Sequence, residues 1–338
     1  MISKLAGPRG LDPHQINRIS KTSLNLYRRA AATFSDWLER HQLFPSDPES
    51  WDDCLVEWKN DPGELVTKAR FETTISALEF VFPRLRKNLQ WAHTVANSWG
   101  AAHQVKHAKA MSRGIAALFS AHLSDMGVAR AGLGLRVQQA LGLRPSELLG
   151  LVAHNVTESP AGSLSNERMY IFALGKQAGT KVRREQFAIL RDSEHPDLCD
   201  SIALLLSLIA CNDKLFPYSL KRYRALIKRA EERCGLRVGF SPHSPRAGFA
   251  TDAIALGKDP SRIRSEGRWN SESSFKVYLD VIGAQSTYNA VREAGLTPAV
   301  AYCLINGHLY FTASRLVPRH GASGLAAQRG WHLDRPAA

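Results

Sequence analysis

Residues 242–280 read PHSPRAGFATDAIALGKDPSRIRSEGRWNSESSFKVYLD. His243 and Arg246 form an H-x-x-R pair, Trp269 follows, and Tyr278 stands nine residues beyond the tryptophan. The local pattern is helical. Ser244 is placed to cap a helix, Pro245 suits its first turn, and Gly257 after Leu256 is a stop. Pro260 to Glu266 reads as a second short helix, and Ser274 to Leu279 lies near the end of a third. Arg246 is thereby set in a first helical turn, where backbone N–H groups already favour an anion, with His243 just before it. The indole N–H of Trp269 donates a hydrogen bond and cannot lose its proton. Singly, each residue has an ordinary explanation. H-x-x-R occurs by chance at many helix starts, the tryptophan suits a core, and the tyrosine suits a packing position.

About a hundred residues upstream, residues 141–151 read LGLRPSELLGL. Arg144 precedes Pro145, a favoured first residue of a helix, so a second guanidinium sits at a helix start. Glu147 falls on the same face and is placed to hold it; alone, this is a helix-starting turn with a surface Arg–Glu pair. Two arginines so positioned can grip the non-bridging oxygens of one phosphate.

Outward from these segments, Arg168 to Leu190 reads as a β-hairpin. Met169, Ile171 and Ala173 alternate with Tyr170, Phe172 and Leu174, Gln177 to Thr180 supplies the turn, and Gln186 to Leu190 returns. No strand is expected before about residue 165. From Ser201 onward the pattern is helical. In the first part, Leu24, Tyr27, Ala31, Phe34 and Leu38 recur at helical spacing, with Arg28, Arg29 and Asp36 off the stripe. Leu43 to Ser50 reads as a loop, Trp51 to Trp58 as a short helix, Phe71 to Phe82 as another ended by Pro83, and Ala101 to Phe119 as a further helical stretch.

The chain has 338 residues and 44% apolar content, which suits one large or two ordinary globular domains. Lys and Arg exceed Asp and Glu by 44 to 31, a net charge of +13, and a globular chain this basic often binds a polyanion. Lys68, Arg70, Arg84, Arg86, Lys87, Lys106, Lys109 and Arg113 cluster ahead of the LGLRPSE segment. Each alone is a solvated cation; as a set they are candidates to line a nucleic-acid backbone. Five scattered cysteines without a C-x-x-C pair support neither a zinc site nor a disulfide framework. No apolar run spans a membrane and no secretory signal is visible, so an intracellular protein is expected.

The two segments, in this order and separation, resemble the signature boxes of the tyrosine recombinases, the phage integrase family. The likeness covers roughly residues 115–285, with tryptophan where many members have histidine. It implies a mainly α fold with a small antiparallel hairpin or sheet, organised as a flexible arm (1–18), a helical DNA-binding domain (19–112), a catalytic domain (113–285) and a C-terminal helical tail (286–338). It implies catalysis by Tyr278, Arg144, Arg246, His243, Trp269 and a lysine between two strands, for which Lys176 is chosen over Lys181. DNA contacts are expected from Arg84, Arg86, Lys87, Lys106, Lys109 and Arg113. The chemistry needs no metal or cofactor. Double-stranded DNA is the implied partner, gripped by a homotetramer, with the tail docking on a neighbouring protomer or folding back on its own. Competing readings are a type IB topoisomerase-like enzyme, a dormant or domesticated DNA-binding relative, and an unrelated basic RNA-binding or scaffold protein.

Overall fold

The apolar stripe of the first part is buried as its spacing requires. In the computed structural model, which describes residues 13–102, 108–175, 185–272, 275 and 289, Leu24, Ala31, Phe34 and Leu38 line the inner face of α1 (Lys21–Arg40), joined by Trp37. The described residues fall into two units, residues 13–102 and those from 108 onward.

The first unit is helical. Ser20 caps α1 by accepting the Ser23 N–H. α2 (Pro48–Asn60) begins inside the segment expected to be a loop. The reason is a capping box: Asp47 accepts the Ser50 N–H, Ser50 Oγ accepts the Asp47 N–H, and Pro48 occupies the first turn. α3 (Lys68–Val81) follows, capped by Thr67, then a single tight turn at Pro83–Leu85 and α4 (Gln90–Ala102). Phe34, Trp37, Trp51, Trp58, Phe71 and Leu78 form an aromatic-rich core. Buried Asp52 of α2 accepts the Trp91 and Ala92 N–H groups, each at 2.7 Å, and so satisfies the open start of α4.

The second unit carries the hairpin. The expected continuous helix from Ala101 to Phe119 is broken: residues 108–112 are not helical, and Met111 donates its N–H to the Ser244 carbonyl at 3.0 Å. Ser112 then caps α5 (Arg113–Asp125), which packs along α6 (Ala129–Leu141). α7 (Pro145–Gly150) precedes β1 (Val156–Ser159), a strand where none was expected. Its sequence has one apolar residue and no alternation, because Val156 and Ser159 are buried while Thr157 and Glu158 are exposed. β2 (Met169–Ala173) pairs antiparallel with β1 and with β3 (Phe187–Arg191), and Phe172 lies between Val156 and Ala188. α8 (Pro196–Leu208) starts ahead of Ser201 because Pro196 takes its first turn. α9 (Leu220–Arg233), α10 (Ser244–Ala255) and α11 (Pro260–Glu266) complete the described order. Phe119, Leu133, Val137, Tyr170, Phe172 and Phe216 anchor the core. The described residues are thus mainly helical, with one small three-stranded antiparallel sheet. Among the described residues no helix is long and apolar enough to cross a membrane.

Candidate active site

Gly142 ends α6 with φ +57°, a left-handed conformation that glycine adopts without penalty, and the chain turns there into α7. Arg144 is the extended residue ahead of Pro145. Its N–H donates to Glu147 Oε2 at 2.8 Å and its guanidinium to Glu147 Oε1 at 2.5 Å. The Arg144 side chain is 34% exposed and that of Glu147 5%, so an accessible arginine rests on a buried carboxylate. Burial pushes the Glu147 carboxyl up, but the Arg268 charge and the Arg144 hydrogen bonds and charge outweigh it, and the net shift is below the ordinary value.

Arg246 is the inner arginine. It lies in the first turn of α10 and is 1% exposed. Its guanidinium donates to the Gly142 carbonyl and, at 2.6 Å, to the Gly267 carbonyl, and stacks 4.2 Å from the centre of the Trp269 ring. Trp269 is buried against Phe249 and Phe275. Gly267 makes that possible: a Cβ there would come within 1.7 Å of the indole. The arginines of the two signature segments therefore converge, one facing solvent and one beneath.

His243 sits immediately before α10 and is exposed. Desolvation by its surroundings, then the charges of Arg246, Arg144 and Arg224, lower its pKa below the ordinary histidine value. Its ring therefore favours the neutral form at neutral pH. Ser244, read from sequence as the cap, is instead the first helical residue; its hydroxyl accepts the Ser241 N–H at 2.9 Å.

Three contributors escaped the sequence reading. Buried Gln138 of α6 donates to the carbonyls of Leu143 (3.1 Å) and Pro242 (2.9 Å) and accepts the Tyr223 hydroxyl at 2.8 Å. It thereby ties the residue before Arg144 to the residue before His243. A glutamine within the apolar run of α6 was a visible signal. Arg268 is buried beside Glu147, and Arg224 acts on His243; nothing in their local sequence marks them.

The basic set falls on both units. Arg84, Arg86 and Lys87 are exposed at and after the Pro83–Leu85 turn of the first unit, while Lys109 and Arg113 are exposed in the second. Arg113 donates its N–H to Asp252 at 2.8 Å and its guanidinium to the Glu194 carbonyl at 3.3 Å. Lys68 pairs with Glu72, and Arg70 pairs with Glu64 and stacks on Trp58. Lys106, Lys176, Lys181, Tyr278 and the C-terminal tail apart from Asn289 lie outside the described residues. Among the described residues no cluster of His, Cys, Asp or Glu could hold a metal ion.

No family model matches the chain. Tyrosine recombinase XerD of Corynebacterium glutamicum is 29% identical over 161 residues, covering 45% of this chain and 47% of that protein. The chain thus matches about half the length of that curated relative. Among solved structures, the XerH site-specific recombinase bound to a palindromic difH substrate, in a post-cleavage complex, aligns with TM-score 0.51 and 16% identity over 79% of this chain and 78% of that one. XerA recombinase aligns with TM-score 0.41 and 18% identity over 86% and 96%, a superposition too loose to bear on the fold. The chain is thus similar in part of its sequence to a tyrosine recombinase and shares its fold with the XerH recombinase.

Proposed function

We propose that this chain is a site-specific DNA recombinase that cleaves and rejoins strands through a 3′-phosphotyrosyl intermediate. The observation that carries the reading is the convergence of two segments a hundred residues apart: Arg144 donates to the Arg268 carbonyl, Arg246 donates to the Gly142 and Gly267 carbonyls and stacks on Trp269, and the charges of both arginines act on His243. That is a cationic, partly desolvated site at the surface, and it suits one phosphate of a DNA backbone.

In this reading the Tyr278 oxygen attacks the phosphorus, the new P–O bond forms as the P–O5′ bond breaks, and a 5′-hydroxyl leaves. His243, its pKa lowered, takes or relays the tyrosine proton, and Lys176 returns a proton to the departing oxygen. Arg144 meets the non-bridging oxygens from the solvent side. Arg246 adds charge from beneath, where the low local dielectric strengthens its effect. Trp269 holds Arg246 against its ring and offers its indole N–H. One ester replaces another, so bond energy is conserved without a nucleotide or metal. Double-stranded DNA is the substrate. Exchange between two duplexes calls for a homotetramer, with Arg84, Arg86, Lys87, Lys106, Lys109 and Arg113 on the backbone. An N-terminal arm (1–18), helical DNA-binding domain (19–112), catalytic domain (113–285) and tail (286–338) are the division of labour this function implies.

A covalent trap tests the proposal. Nicked duplexes, including DNA flanking the source locus, are incubated with the protein, denatured in detergent and scored for adducts. The expected result is wild-type adducts that Tyr278→Phe abolishes, with recombinant joints when two sites are supplied. Relaxation of supercoiled DNA without joints would favour the topoisomerase-like reading. Salt-sensitive binding with no adduct would favour a dormant DNA-binding relative.

A further inference from the structure

Arg268 occupies a position that stability alone does not recommend. Its backbone is left-handed, with φ +59°, a region that costs a long side chain free energy and that glycine takes freely. Its side chain is only 6% exposed, and its Nε has no hydrogen-bond partner among the described residues. Burying an incompletely satisfied guanidinium is a second cost.

What Arg268 does with its remaining atoms is specific. Nη1 donates to the Glu266 carbonyl at 2.8 Å. Nη2 reaches the Gly142 carbonyl at 3.2 Å, the Leu141 carbonyl at 3.3 Å and Glu147 Oε2 at 3.3 Å. Its own carbonyl accepts from Arg144 Nη2 at 3.2 Å. Glu147, so contacted, holds both the backbone and the guanidinium of Arg144. The Gly142 carbonyl is also an acceptor for Arg246. The residue next to Trp269 therefore touches Glu147 and the Gly142 carbonyl, one support of each active-site arginine, and holds Arg144 through its own carbonyl.

We infer that Arg268 is a positioning residue: it locks Glu147, Arg144 and the Gly142 carbonyl in register with Trp269, and so fixes both arginines relative to one phosphate. The inference rests on the proposed recombinase chemistry. It assigns Arg268 no contact with DNA. Its loss should therefore slow the cleavage step and leave DNA affinity alone, because small misplacements of reacting groups cost rate rather than binding.

The test measures single-turnover cleavage of a nicked duplex at saturating protein, and separately the Kd for the same duplex, for wild type, Arg268→Met, Arg268→Lys and Arg268→Gly. Arg268→Gly relieves the left-handed backbone and guards against loss of fold; circular dichroism and thermal melting confirm folding of each variant. The expected result is a cleavage rate reduced about 10²-fold in Arg268→Met and Arg268→Gly, partial recovery in Arg268→Lys, and Kd within about twofold of wild type throughout. Wild-type cleavage rates in folded Arg268→Met and Arg268→Gly overturn the inference and leave the recombinase reading standing. A loss of rate matched by an equal loss of affinity also overturns it. Absence of any adduct from the wild type overturns both readings.

Discussion

Glu147 is buried between Arg268, itself buried, and the partly exposed Arg144. Breaking a buried pair by removing one partner leaves uncompensated charge and typically costs about 3–5 kcal/mol. Glu147→Leu leaves two arginines facing an apolar side chain, so denaturant unfolding should show a loss of that order. The pH dependence has a definite sign. Its folded pKa is depressed, so its contribution is present above the ordinary carboxylate value and is lost as pH falls through the depressed one. Asp252 works in the opposite direction. Burial, only partly offset by the Arg113 N–H, the Arg113 charge and Gln139, raises its pKa from 3.8 to about 6. The stability tied to its protonated form is full below 3.8 and is lost as pH rises through about 6. Asp252→Asn should therefore flatten the stability profile between those values, as read by melting temperature across a pH series. At this scale the sequence was half legible. Arg144 could be read because Pro145 and Glu147 announce a helix start around it, and Arg246 because Pro245 does the same. Arg268 could not, since a long cation next to a tryptophan normally reads as solvated, and only the tertiary fold brings Glu147 and Gly142 within its reach.

α10 carries Arg246 and is pinned to the non-helical segment 108–112 through Met111, which donates to the Ser244 carbonyl and packs on Gly248. Gly248 lies so close to Met111 that a Cβ would come within 1.7 Å of its carbonyl oxygen. Gly248→Ala is therefore expected to destabilise by about 1–3 kcal/mol, as overpacking does, and to lower the melting temperature of the second unit. Gln138 is the corresponding tie from α6. Gln138→Leu keeps the volume but strands the Tyr223 hydroxyl and two carbonyls, at about 1–3 kcal/mol for each group left unmet, and unfolding in urea checks it. The elements showed in the sequence where a period was present. The α1 stripe and the β2 and β3 alternation follow from it. β1 was missed because its burial does not alternate, and the break at 108–112 because its cause is a hydrogen bond from Met111 to Ser244, far along the chain.

At the scale of the whole molecule, a net charge of +13 sets the expectation for binding. If Arg84, Arg86 and Lys87 each neutralise a phosphate, replacing all three with glutamine should reduce the slope of log K against log salt by about 2–3, with equal effect on every duplex sequence. Equilibrium binding across a salt series reads this directly. The charge was legible from composition, but its distribution was not: the exposed cations of the first unit differ from Lys68 and Arg70, which are engaged with Glu72, Glu64 and Trp58. In the proposed reaction Arg144, Arg246, His243 and Trp269 serve a phosphate attacked by one particular tyrosine. Mass spectrometry of the peptide recovered from the covalent trap identifies that residue. A nucleotide linked through its 3′-phosphate to Tyr278 is expected; linkage to another residue would rule the proposed nucleophile out.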